Sequence, residues 1–99
     1  MVSRIINRDL SITEIKLSRK DLSDDELIVL CEVIESVEEC NVEEIKLSFN
    51  KRLTDNCVPS ILKMLEKRKE IIEIYLSSTS ISYEYGMKII NKINDNVSE

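Results

Sequence analysis

The sequence predicts an α/β array of three strand–helix units stacked head to tail, and three observations carry that prediction. The segment Ile12-Thr-Glu-Ile15-Lys-Leu17-Ser18 returns as Val42-Glu-Glu-Ile45-Lys-Leu47-Ser48 and again as Ile71-Ile-Glu-Ile74-Tyr-Leu76-Ser77, at steps of 30 and then 29 residues. Each copy is followed by a second shared element: Leu22-Ser-Asp-Asp-Glu-Leu27, Leu53-Thr-Asp-Asn-Cys-Val58 and Ile81-Ser-Tyr-Glu-Tyr-Gly86. Between the two elements the apolar period changes from two to about 3.6, the change from strand to helix. A period of roughly 20 to 50 residues marks units that cannot bury their apolar faces alone and must stack.

The elements follow in chain order. Val2, Ile5 and Ile6 resemble the end of a helix, so residues 1–11 are expected to cap the first unit. Apolar and polar residues alternate through Ile12–Ser18, Val42–Ser48 and Ile71–Ser77, the pattern of strands buried on one face. Leu27, Leu30, Cys31 and Ile34 recur at helical spacing, as do Val58, Ile61, Leu62 and Leu65. Helices are therefore predicted over Asp24–Val37, Asp55–Lys67 and Tyr83–Ile93. Ser23, Thr54 and Ser82 suit their N-caps, Ser23 with Glu26 completes a capping box, and Pro59 falls in opening turns where a missing N–H costs least. The units span 12–41, 42–70 and 71–93, with 94–99 expected to be a polar tail that covers little. Leu17, Leu47 and Leu76 are expected to stack, fully buried, in the core.

The stretch Val42-x-x-Ile45-x-Leu47-x-x-Asn50-x-x-Leu53-Thr-Asp, with Val58, Ile61, Leu62 and Leu65, resembles the long strand–helix class of leucine-rich repeat, as in ribonuclease inhibitor and tropomodulin. The pattern covers residues 12 to 93. The resemblance implies a short leucine-rich-repeat solenoid with the parallel sheet on its concave side, helices on its convex side, and partners held against the strands. The family's Asn, which ties adjacent turns, stands at Asn50, whereas Lys20 and Thr79 occupy the equivalent positions. Gly86 takes the core position filled by Leu27 and Val58, so the third helix is expected to start late or to leave room for a neighbour.

Composition narrows the function. The chain has 99 residues, 42% of them hydrophobic and 33% charged, with one Gly and one Pro, which is the profile of one folded domain. A net charge of −5 argues against nucleic acid, whose binding requires a basic stripe. No apolar run approaches the roughly 20 residues of a spanning helix, and the opening Met1-Val-Ser-Arg breaks into charge too early for a signal peptide. Three cysteines, Cys31, Cys40 and Cys57, are an odd number without metal-ligand spacing and read as reduced thiols of a cytoplasmic protein. Of these, Cys31 and Cys57 fall within helices and Cys40 is the one expected near the surface. The sequon at Asn96-Val-Ser98 is without consequence in that setting.

Catalysis finds no support. Histidine is absent, there is no Gly-rich phosphate loop, and Asp24-Asp25 is explained by a helix N-terminus. No catalytic residue, cofactor or metal is expected. The concave face is more informative: parallel register would stack Glu14, Glu44 and Glu73 in one column, Lys16, Lys46 and Tyr75 in a second, and Ser18, Ser48 and Ser77 in a third. One reading is that the glutamates and lysines simply neutralise one another on a solvated sheet; the alternative is a recognition surface. As a recognition surface it would take another protein through Tyr75 and, at the strand exit, Phe49, with the glutamates selecting a basic patch. The leading expectation is a non-catalytic protein-binding module, acting as adaptor or inhibitor. The alternative is a structural subunit or assembly factor joined through its open edge strand, with self-association at 72–77 as one form. A convex-face contact through Ile28, Val29, Tyr83 and Tyr85 is the third arrangement.

Overall fold

A computed structural model describes residues 13–98, and in it each copy of the repeated Glu-Ile segment forms a short strand. Strands β1 (Glu14–Lys16), β2 (Glu44–Lys46) and β3 (Glu73–Tyr75) make an open parallel sheet in the order β1-β2-β3. Helices α1 (Asp24–Ser36), α2 (Val58–Lys67) and α3 (Tyr83–Ser98) follow the strands one by one. The register is the one implied by the sequence: Ile15 pairs with Ile45 and Ile45 with Ile74. The expected N-terminal cap, residues 1–11, lies outside the described residues.

The strands are shorter than predicted because the chain turns soon after them. Arg19, Phe49 and Ser78 occupy equivalent places and all have left-handed backbone, with φ of 60°, 65° and 58°. Pairing still continues into the turn. Leu17 and Arg19 N–H donate to the Lys46 and Ser48 carbonyls at 2.9 and 3.1 Å, and Leu47 and Phe49 N–H to those of Tyr75 and Ser77 at 2.9 and 2.8 Å.

The predicted caps form. The Ser23 hydroxyl accepts from Glu26 N–H while the Glu26 carboxylate accepts from Ser23 N–H, and the hydroxyls of Thr54 and Ser82 accept from Asn56 and Tyr85 N–H. The span expected to be helical from Asp55 instead opens with a 3₁₀ turn, Asp55–Cys57. Pro59 is the cause: having no N–H, it cannot bond the Asp55 carbonyl four residues back, and Val58 N–H takes that acceptor at the tighter spacing. Helix α1 ends one residue early, where Val37 turns extended.

One expectation is corrected at the C-terminal end. Residues 94–98 are not a polar tail but the last turn of α3, because the Asn96 amide reaches back to the Leu65 and Ile71 carbonyls at 3.2 and 2.9 Å. A tertiary bond here overrides the weak helix preference of the Asn-Asp-Asn run. Of the two outcomes expected at Gly86, a late start or room for a neighbour, the structure shows the second: α3 begins at Tyr83 as predicted, and a Cβ on Gly86 would meet nothing within 4 Å. The space foreseen at Gly86 is real.

The core gathers Ile15, Ile45, Leu47, Leu53 and Ile71 with Leu27, Leu30, Ile34, Val58, Ile61, Met64, Leu65 and Ile89 of the helices. Leu47 is fully buried, but Leu17 and Leu76, expected to be equally buried, are only partly so because they flank it at the two sides of the sheet. All three cysteines are free and buried, Cys40 included, contrary to its expected exposure. Desolvation pushes the Cys31 and Cys57 thiols up to about 12, so neither supplies a thiolate at neutral pH.

Neighbouring units are tied by polar side chains as well as apolar contact. Asn50, with no exposed surface, accepts from Lys20 and Leu22 N–H at 3.0 Å each and donates to the Leu17 and Leu47 carbonyls at 2.8 Å each. Asp24 accepts from Thr54 N–H at 2.8 Å, and Asp55 from Ser82 N–H at 2.7 Å. Arg68 covers the end of α1 by donating to the carbonyls of Ile34, Glu35 and Val37. Among the described residues, the side chain of Thr79, at the place of Asn50 in the third unit, bonds only within its own turn, to the Leu76 carbonyl and Ile81 N–H.

Asn50→Ala strands four backbone groups and is expected to cost at least about 3 kcal/mol, against less than about 1.5 kcal/mol for Thr79→Ala. Leu47→Ala is expected to cost about 2 to 5 kcal/mol. Denaturant unfolding measures all three. An Asn50 variant no weaker than the Thr79 variant would contradict the junction described above.

Candidate functional site

The alternation that turns Ile15, Ile45 and Ile74 toward the core turns their neighbours to the other face of the sheet, and the parallel register then aligns them. Glu14, Glu44 and Glu73 are paired across the strands, as are Lys16, Lys46 and Tyr75. Six of the seven residues expected at the site therefore lie on one surface. Lys46, at its centre, pairs with Glu14 at 2.7 Å and lies 5.7 Å from the centre of the Tyr75 ring. The Tyr75 hydroxyl donates to the Glu73 carboxylate at 2.8 Å.

These contacts set the electrostatics. The hydrogen bond from Lys46 holds Glu14 below the usual carboxylate range, and the same bond raises Lys46. With Glu14 lowered on folding, the pair's contribution is present above the ordinary carboxylate pKa and is lost as pH falls through the lowered value. The bond to Glu73, reinforced by Glu44, pushes the Tyr75 phenol up to about 12, since a phenolate there would face carboxylates. Tyr75 thus remains a neutral hydrogen-bond donor, and the residue is 41% exposed.

The serine column is less open than its alternation implies. Ser48 is buried and its hydroxyl accepts from Ser77 N–H at 3.1 Å, so it serves the junction between β2 and β3. Phe49, the seventh expected residue, sits in the turn beyond β2 and is exposed. The structure adds a residue that sequence reasoning passed over: the Arg19 guanidinium lies 3.9 Å from the centre of the Phe49 ring. The signal was present in the repeat, since residues 19 and 49 are 30 apart, the same step that aligns Ile15 with Ile45.

Among the described residues, no group of three or more His, Cys, Asp or Glu side chains is placed to hold a metal ion, and no helix is long and apolar enough to cross a membrane. Asp24 and Asp25 lie in the first turn of α1, where Asp24 is engaged by the Thr54 backbone and hydroxyl. Val29 is exposed on α1 and Tyr83 on α3, while Ile28 and Tyr85 are partly buried against the core, which divides the apolar residues expected on the helical face. No family model and no curated protein matches this chain.

The Tyr75 hydroxyl gives the site a spectroscopic test. In an alkaline phenolate titration, Tyr75→Phe should remove the component that ionises near pH 12, and Glu73→Gln should move that component down toward 10. A wild-type Tyr75 component near 10 would contradict the Tyr75–Glu73 bond.

Proposed function

We propose that the chain is a non-catalytic protein-binding module, a short leucine-rich-repeat solenoid that takes a basic surface of another protein on the concave, sheet side. The observation that carries this reading is the register of the three strands, which sets Glu14, Glu44 and Glu73 in one line beside Lys46 and Tyr75. Lys46 is satisfied by Glu14, which leaves Glu44 and Glu73 as the carboxylates toward which a partner's lysine or arginine would be drawn. Tyr75 offers a large ring of low rotamer entropy for a central contact, and Phe49 with its stacked Arg19 borders it at the strand exits. Three buried thiols, none of them paired, suit a reducing compartment such as the cytoplasm.

Affinity capture from a native lysate followed by mass spectrometry identifies the partner, and two variants then test the face. Tyr75→Ala is expected to weaken binding by about tenfold to a hundredfold, mainly through faster dissociation. Glu44→Lys acts differently, slowing association and flattening its salt dependence, because steering by exposed charge is screened beyond about 10 Å at 0.1 M salt. A partner whose binding is untouched by both changes would remove the concave face from consideration.

A further inference from the structure

Among the described residues, most of the exposed large hydrophobic side chains lie at one end, Val29 and Phe49 being the exceptions. Ile72, Tyr75, Tyr83, Ile90 and Val97 are exposed, and all belong to the third unit. Positions that the next unit covers elsewhere lose their cover here. Leu27 and Val58 are buried where Gly86 faces open space, and the place held by buried Cys31 and half-buried Leu62 is Ile90, which is 47% exposed. A cavity of about 180 Å³, lined by Leu76, Ile81, Tyr83, Met87 and Ile90 among others, opens beside Gly86. Among the described residues, β3 is bonded along one edge only, to β2. A bare edge of this kind is a template for a further strand.

Two observations specify the occupant. The first is what is missing: both junctions within the chain use an aspartate in the first helical position, Asp24 for Thr54 and Asp55 for Ser82, and in α3 that position is Tyr83. The end face therefore lacks the acceptor that receives another unit of the same kind. The second is symmetry. Tyr83, Ile90 and Val97 follow at steps of seven residues, about two helical turns, and so share one face of α3 with Gly86, Met87 and Asn94. None of the six is charged, in a chain where 33% of residues are.

The spacing is the same read in either direction from Ile90. An antiparallel copy of α3 would place Ile90 against Ile90 and Tyr83 against Val97. In the sheet, antiparallel pairing centred on Ile74 would place Glu73 opposite Tyr75 of the second copy, the carboxylate–phenol pairing that already forms within the chain at 2.8 Å, with no like charges directly opposed. The copies carry a net charge of −5 each, so an uncharged face is where they meet with least repulsion. We infer that the end face made by β3 and α3 pairs with the same face of a second copy across a two-fold axis, giving a closed dimer with a continuous six-stranded sheet.

Sedimentation of the full chain over a concentration series, with Ile90→Arg alongside, tests this. Wild type should pass from monomer to dimer and no further, and Ile90→Arg should weaken dimerisation by at least about tenfold with unchanged circular dichroism. Ile90→Cys supplies an independent measurement: the axis sets the two new thiols side by side, so mild oxidation should yield a disulfide-linked dimer while the buried native cysteines stay reduced. A wild type that is monomeric throughout, a dimer indifferent to Ile90→Arg, or species that keep growing with concentration would overturn the inference. Should Ile90→Arg fail to fold, the Ile90→Cys crosslink decides alone, its absence counting against the two-fold face.

Discussion

The fold depends on one buried amide. Asn50 uses its full hydrogen-bonding capacity, two acceptances and two donations, and every bond goes to backbone that has turned out of the strands. Leu17, Lys20 and Leu22 belong to the first unit and Leu47 to the second, so a single side chain fixes how one turn lies upon the next. Without it those carbonyls and N–H groups would be shut away from water unpaired, at the place where the sheet must end and the chain must start back toward a helix. The left-handed residues Arg19 and Asp21, φ 60° and 54°, each immediately precede one of the two residues, Lys20 and Leu22, whose N–H groups Asn50 accepts from, which ties the shape of the first turn to a residue in the second.

Once that turn is set, the remaining junctions are directional. Aspartates at helix N-termini reach forward to the next unit's cap, while Arg68 and Asn96 reach back over the C-terminal carbonyls of the preceding helix. The carbonyls at the ends of the first two helices are thereby partly covered by the unit after each, for α1 by Arg68 and for α2 by Asn96. Ion pairs add lateral contact: Glu66 of α2 bonds Lys92 of α3 at 3.1 Å as well as its own Lys69 at 2.6 Å, which lowers the Glu66 carboxyl. The Oδ1 of Asn96 is buried and has no hydrogen-bond partner among the described residues, so the backward reach at Asn96 is incompletely satisfied.

Most of the architecture was legible because the repeat states each choice three times. Strand register, helix phase and cap position recur at Ile15, Ile45 and Ile74 and at Ser23, Thr54 and Ser82, and the agreement of copies outweighs the ambiguity of any one. What was misread depended on contacts that no local pattern encodes. Asn96 stabilises a helix turn that its own neighbours disfavour, and Cys40 is buried although it sits outside any regular element. Leu17 and Leu76 share Leu47's place in the repeat but not its flanking units on both sides. The sheet surface was legible to the residue for Glu14, Lys16, Glu44, Lys46, Glu73 and Tyr75, because alternation and register decide it. The Arg19–Phe49 stack was missed because it forms in the turn, where alternation has stopped.

That turn also separates strain from function. Phe49 at φ 65° is an unfavourable conformation for a bulky side chain, and such outliers invite a functional reading. Taken alone it would mark Phe49 as special. Yet Arg19 and Ser78 hold the same conformation at the same place in their units, and none of the three is glycine. The conformation is a requirement of the architecture, imposed wherever a strand hands over to the loop before a helix, and it is held at the first two sites by ladder bonds from Arg19 N–H to Ser48 and from Phe49 N–H to Ser77. What distinguishes Phe49 is the company of its ring, since the Arg19 guanidinium covers it and both residues remain exposed. The backbone puts a side chain there in every unit, and only the choice of side chain can carry recognition.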